Sequence, residues 1–237
     1  ELFQTAAKII VVSKDMHRQL LRLGCPDEKL EQITYGVDLE IFSPPSSNEN
    51  RNGFIACGRF VPKKSPLLTI QAFSKVVEVH PKAKLTFIGD GELLDAAIAL
   101  TKELKLMGNI DFKGVLNSSE IARELKNHAI FIQHSIKTEQ NDSEGTPLSI
   151  LEAAATGLAI VATNHAGIPD VIVDGESGYL VEEGNVASMA EKMLLLYSNP
   201  QLRNEYGMNA QKIIVRNFGQ RDNIKKLENC LKTNELK

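Results

Sequence analysis

Glu144 and Glu152 flank the start of an apolar segment, and their placement suggests chemistry before any fold is known. The stretch from Asn141 to Ala155 opens as a polar loop, Asn-Asp-Ser-Glu-Gly. It continues through Leu148, Ile150, Leu151, Ala153, Ala154 and Ala155. Residues apolar nearly all round predict a buried helix. Thr146 is the expected N-cap and Pro147 the expected first helical residue. Glu152 lies inside that helix, where a carboxylate is costly unless something pairs with it. Free N–H groups and the dipole at a helix N-terminus favour an anion. The arrangement suits a phosphate, with the two carboxylates holding hydroxyls beside it.

Cations stand in an earlier loop, Gly58-Arg59-Phe60-Val61-Pro62-Lys63-Lys64-Ser65. Gly58 lets a ligand approach the backbone. Arg59 offers a planar fork to phosphate oxygens, and Lys64 a point charge; Lys63 is read as solvated. Alone, this loop fits a charged surface equally well. Cations for a diphosphate on the same edge as carboxylates for hydroxyls describe a nucleotide sugar. Gly89-Asp90-Gly91 reads as a tight turn, with a role near the nucleotide left open. Gly114-Val115-Leu116-Asn117 either holds a base edge or only turns the chain from strand to helix. His134 is read as structural, Asp142 as a sugar contact, a metal ligand or neither, and residues 164–169 as a structural turn. No Asp-x-Asp pair, nucleotide phosphate loop or Gly-x-Gly-x-x-Gly motif is present, so no metal is expected.

Short apolar runs must position these loops. Strands are expected at 8–12, 31–34, 53–57, 84–88, 110–112, 129–132, 159–162 and 178–181. Helices are expected after Ser13, from 66 to 79, from 92 to about 104, from Ser118 as cap to 127, after Thr146 and across 186–235. From 53 to 181 strands alternate with helices. This predicts an α/β, Rossmann-like parallel sheet with helices on both faces. Ligands of such sheets sit beyond the C-terminal strand ends, so the polar loops should converge on one edge. The Pro-rich polar run 43–52 is read as a linker.

A net charge of −3 gives no electrostatic footprint for nucleic acid. Cys25, Cys57 and Cys230 lack metal spacing and suggest reduced thiols of a cytoplasmic protein. No apolar run approaches the ~18 residues of a membrane span. The chain starts at Glu1 without Met, so a longer protein is expected.

Glu144, seven residues and Glu152 resemble the Glu-x7-Glu motif of the family 4 retaining glycosyltransferases. Glu144-Gly145-Thr146-Pro147, Leu151-Glu152-Ala153 and Ala155-Thr156-Gly157 extend the likeness. So do Gly58-Arg59-Phe60 with Lys64, Gly36-Val37-Asp38, and Asp174 to Val181. The loop 141–145 and Ala166-Gly167-Ile168-Pro169 look closest to bacterial exopolysaccharide members of the colanic-acid type. One departure is Tyr35 before Gly36, where many members have Asn. The family has the GT-B architecture, two Rossmann-like domains around a cleft, with the donor on the C-terminal domain.

The resemblance implies that residues 1–42 are the tail of an N-terminal acceptor domain and the interdomain segment. Residues 43–52 would be a linker, and residues 53–218 the donor-binding domain. Residues 219–237 would form a helix crossing back. Arg59 and Lys64 would bind the diphosphate and stabilise leaving-group charge, the work a metal does elsewhere. Glu144 would contact the transferred sugar; these three form the implied catalytic set. Gly58, Gly145, Thr146, Pro147 and Leu148 would line the donor, with N–H groups of Gly145, Thr146 and Leu148 facing sugar and phosphate. Glu152 would accept from the ribose, and Leu116 or Val115 would lie beside the base.

The implied activity is transfer of a hexosyl group with retention, from a uridine diphosphate sugar to a saccharide or lipid-linked acceptor, without metal or cofactor. The acceptor would reach it through the absent N-terminal domain, and this piece alone is expected to be inactive. The whole protein would be cytoplasmic and peripheral at the inner face of the plasma membrane. One rival is a non-catalytic sugar-nucleotide-binding module on the same fold. Another is a sugar-nucleotide epimerase, for which catalytic acids are missing.

Overall fold

The computed structural model describes residues 2–47 and 51–235. The chain runs α1 (Leu2–Thr5), β1 (Ile9–Val11), α2 (Lys14–Arg22), β2 (Leu30–Gln32), β3 (Phe54–Cys57), α3 (Pro66–Val79), β4 (Leu85–Ile88) and α4 (Leu94–Glu103). It continues through β5 (Ile110–Phe112), α5 (Ser118–Asn127), β6 (Ile130–Gln133), α6 (Leu148–Ala155), β7 (Ala159–Thr163) and β8 (Gly178–Val181). Then come α7 (Val186–Ser198), α8 (Pro200–Asn217) and α9 (Gln220–Glu235).

Six parallel strands form the main sheet in the order β5-β4-β3-β6-β7-β8. The strands are almost wholly apolar because helices cover both faces. Alternation along each strand sends residues to opposite layers. Phe54, Ala56, Ile130, Ile132 and Val161 join α3 and α7 residues such as Ile70, Phe73 and Met193. Ile55, Phe131, Ile160 and Ala162 join Leu125, Ile150, Ala210 and Ile214 on the other side. Burying each such large side chain contributes about 1.5–3 kcal/mol.

The sheet order places the functional edge. From β3 the chain builds outward through β4 and β5, then returns to add β6, β7 and β8 on the other flank. Strand order reverses between β3 and β6, and the crevice lies beyond their C-terminal ends. The loops leaving those strands are 58–65 and 134–147. Outside the sheet, β1 and β2 pair in parallel, with Ile9 opposite Leu30.

Several local expectations are corrected. Pro147, not Thr146, is the N-cap of α6, and Leu148 is its first residue. Thr146 Oγ1 instead donates to the Val12 carbonyl at 2.6 Å. Asn117 rather than Ser118 caps α5, in a reciprocal capping box with Glu120. Residues 48–50 of the expected linker lie outside the described residues. Arg51, in the same polar run, is buried, and its guanidinium donates to the carbonyls of His128, Gly157 and Leu125.

Residues 34–37 lie against α9. Val37 N–H donates to Phe218 O, Gln220 N–H to Val37 O, and Asn223 to Tyr35 O. Gly36 admits this approach, since a Cβ there would fall 2.4 Å from Gln220 Cα. Among the described residues no helix is long and apolar enough to cross a membrane.

Candidate functional site: a polar crevice at the strand reversal

Phe60 anchors the cationic loop. It is buried and packs on Phe87 and Phe112. Its N–H donates to Asp90 O, and its carbonyl accepts from Leu93 N–H. The loop after β3 therefore lies directly on the loop after β4. That contact needs glycine: a Cβ on Gly89 would stand 2.0 Å from Gly58 O, and one on Gly91 would stand 2.6 Å from Phe60 O. The Gly89-Asp90-Gly91 turn thus holds Gly58 and Arg59 in place. Arg59 is left exposed on the anchored loop. Gly58, Arg59, Gly89, Val115 and Leu116 line an open groove of about 480 Å³, with Ile88 and Ile121 also in its lining.

Lys64 crosses the strand reversal. Its Nζ stands 3.3 Å from Glu144 Oε1, and both side chains are nearly covered. The contact is an ion pair without a directed hydrogen bond to the buried Oε1. Burial holds the Lys64 ammonium below its ordinary pKa, and the Glu144 charge partly opposes this. Lys63 is not simply solvated: it pairs with Asp142 Oδ1 at 2.9 Å, and its carbonyl accepts from Ile136 N–H. Asp142 is therefore a structural partner of the cationic loop.

Glu152 sits on α6, mostly covered by protein. Burial raises its carboxyl from 4.5 to about 7. The same surroundings push the Cys57 thiol up to about 12, mainly by burial and then by the Glu152 charge. Cys57 lines the groove. The N-terminal turn of α6 is tied to β6 through Gln133, whose Oε1 accepts from Ser149 Oγ and whose Nε2 donates to Ser135. Leu148 is exposed at that terminus, and Gly145 packs on Val12. Gly145, Thr146 and Pro147 therefore sit between α6 and the segment carrying β1.

His134 takes no part in the crevice. It is fully buried, accepts from Gly184 N–H at 2.8 Å and faces Met189 Sδ. Burial lowers it to about 4, so it stays neutral. Residues 164–169 do more than turn the chain. His165 Nε2 accepts from Glu144 N–H at 3.1 Å, and Gly167 N–H donates to Gly145 O at 3.0 Å. Neither His165 nor its partner Glu183 carries a local sequence signal, since both act across the sheet edge.

A crevice with an exposed Arg, a covered Lys, two carboxylates and a helix N-terminus is suited to an anionic, hydroxyl-rich ligand. Residues 38–213 match the family model described as Glycosyl transferases group 1. The chain belongs to this family. It is similar to the amylovoran biosynthesis glycosyltransferase AmsK of Erwinia amylovora, 30% identical over 82% of this chain and 48% of AmsK. It is also similar to WcaL of Escherichia coli K12, assigned to colanic acid biosynthesis, 27% identical over 81% of this chain and 48% of WcaL. The chain spans about half the length of these relatives.

Among solved structures, a TarM variant from S. aureus in complex with UDP, Fondaparinux and alpha-GlcNAc-glycerol superposes with a TM-score of 0.85. It is 25% identical, over 97% of this chain and 44% of TarM. Anabaena HepE with UDP and glucose superposes with a TM-score of 0.86 at 18% identity, over 98% of this chain and 65% of HepE; that likeness is of fold alone. The parallel six-stranded sheet flanked by helices is the fold of these GT-B glycosyltransferases.

Proposed function

We propose that this chain is the C-terminal, donor-binding half of a retaining, metal-independent glycosyltransferase of family 4, taking a uridine diphosphate sugar. The observation that carries the reading is the meeting of Lys64 and Glu144 across the strand reversal, with Arg59 on the same loop as Lys64 and lining a groove with Leu116. Arg59 and Lys64 hold the diphosphate, and Glu144 the sugar hydroxyls. Gly58, Gly145, Thr146, Pro147 and Leu148 line the path between them. Glu152 accepts from the ribose, and Leu116 with Val115 covers the base.

Supporting observations are the family match, the UDP complex of TarM and a likeness to the C-terminal domain of LpcC from Francisella tularensis. That domain is 27% identical with a TM-score of 0.67, over 78% of this chain and 99% of the domain. Residues 2–42 then belong to the acceptor side, 43–47 to the linker, 53–218 to the donor domain and 219–235 to the returning helix, with Arg51 packed on the donor domain.

In the transfer, the bond from the anomeric carbon to the phosphate oxygen breaks and a bond to the acceptor oxygen forms on the same face. The acceptor's proton passes to the departing phosphate oxygen, so no protein base is needed. Arg59 and Lys64 stabilise the charge that gathers on the leaving diphosphate. The acceptor is a saccharide or lipid-linked saccharide. An Escherichia coli relative, named for galactosyl transfer to a diphosphoundecaprenol-linked sugar and 27% identical, supports the latter. In the thermal-shift test, UDP raises the melting temperature of the chain, and Arg59→Ala or Glu152→Ala abolishes the rise. No shift with UDP in folded protein would overturn the reading.

A further inference from the structure

The loop that carries Glu144 is long and polar, and such a loop does not by itself hold a carboxylate to the tolerance a sugar contact needs. Its two ends are stapled to one pair of side chains. Glu144 N–H donates to His165 Nε2 at 3.1 Å, and Lys137 N–H donates to Glu183 Oε2 at 2.8 Å. His165 Nδ1 and Glu183 Oε1 lie 2.6 Å apart. A backbone N–H can only donate, so Nε2 must be unprotonated and the ring proton must sit on Nδ1, donated to Glu183. The pair is therefore a neutral imidazole oriented by a carboxylate, despite the short spacing that would also suit an ion pair.

His165 is buried, and its loop is locked from both sides. Its N–H donates to Thr163 O, and Gly167 N–H donates to Gly145 O. A Cβ on Gly167 would stand 2.2 Å from that carbonyl. The geometry points to His165 and Glu183 as positioning residues that set Glu144 against the transferred sugar, on the reading of Glu144 given above. Neither touches the nucleotide in that reading, so their loss separates sugar recognition from nucleotide recognition.

The test is calorimetry of the full chain with UDP and with a panel of UDP-sugars, taking the tightest sugar. His165→Phe removes the acceptor while keeping a ring. It should weaken the UDP-sugar about tenfold and leave UDP unchanged. His165→Gln, whose carboxamide oxygen can accept the same N–H, should restore most of the sugar affinity. If the Phe variant fails to fold, Glu183→Ala, at a half-exposed position, decides by the same ratio. Equal weakening of both ligands, or no change in either, overturns the positioning role alone. Failure of the unaltered chain to bind UDP overturns the donor-site reading and this inference with it.

Discussion

Lys64 Nζ stands 3.3 Å from Glu144 Oε1, across the gap between the loops that leave β3 and β6. Each charge is the other's partner. In the proposed site, diphosphate oxygens of the donor would meet the ammonium and its hydroxyls the carboxylate. The pair thus keeps two covered charges compensated.

Breaking that pair should cost stability even without ligand. Lys64→Met or Glu144→Leu leaves the other group covered and uncompensated, a loss of up to about 3–5 kcal/mol. The double variant should lose less than the sum of the singles, because it leaves no orphan charge. Urea denaturation of the four proteins checks this; strict additivity would mean the contact carries no coupling.

Glu152 should make nucleotide binding pH-dependent. Its carboxyl titrates at about 7 in the folded chain against 4.5 as a free group, because burial disfavours the anion. On the proposed reading ribose hydroxyls donate to the anion, so UDP affinity should rise with pH by up to about tenfold per unit below 7 and level off above it. Stability of the unliganded chain should run the other way. The folded state binds the extra proton, so stability falls as pH climbs from 4.5 to about 7, by roughly 3 kcal/mol at most. Glu152→Gln should flatten both curves, measured by calorimetry and denaturation.

Arg51 should be a structural keystone. Its guanidinium meets the carbonyls of His128, Gly157 and Leu125, joining the segment before β3 to the ends of α5 and α6. Burial lowers its pKa to about 10, still charged at neutral pH. Arg51→Met should destabilise the fold by roughly 3 kcal/mol through the unpaired carbonyls. Arg51→Lys should recover little, because an ammonium cannot reproduce the fork. Melting temperatures of the two variants test both statements.

Gly89→Ala should damage the crevice at a distance. The new Cβ meets Gly58 O at 2.0 Å, and φ is +129°. Relief requires the loop bearing Gly58 and Arg59 to move. The expected result is about 1–3 kcal/mol of lost stability together with weaker UDP binding. Retained UDP affinity would show that this loop contact does not position Arg59.

Strand and helix positions follow from short-range chemistry and are legible in the residue string. β3, β6 and β7 are apolar runs, α3 begins at a proline, and α2 is capped by Ser13, whose side chain accepts from Met16 N–H. The glutamate pair and the Arg59–Lys64 loop are legible too, because each is a local pattern. Caps are finer: Thr146 and Ser118 have the right chemistry, yet Val12 O claims one hydroxyl and the neighbouring Asn117 outcompetes the other. Sheet order was beyond local pattern, and sheet order is what brings Lys64 to Glu144. Long-range hydrogen bonding decided the rest. Arg51 reads as linker until three distant carbonyls receive it, Lys63 as solvated until Asp142 arrives, and His165 as part of a turn until Glu144 donates to it. Such pairings depend on which loops share an edge of the sheet, and adjacent residues along the chain carry no trace of that.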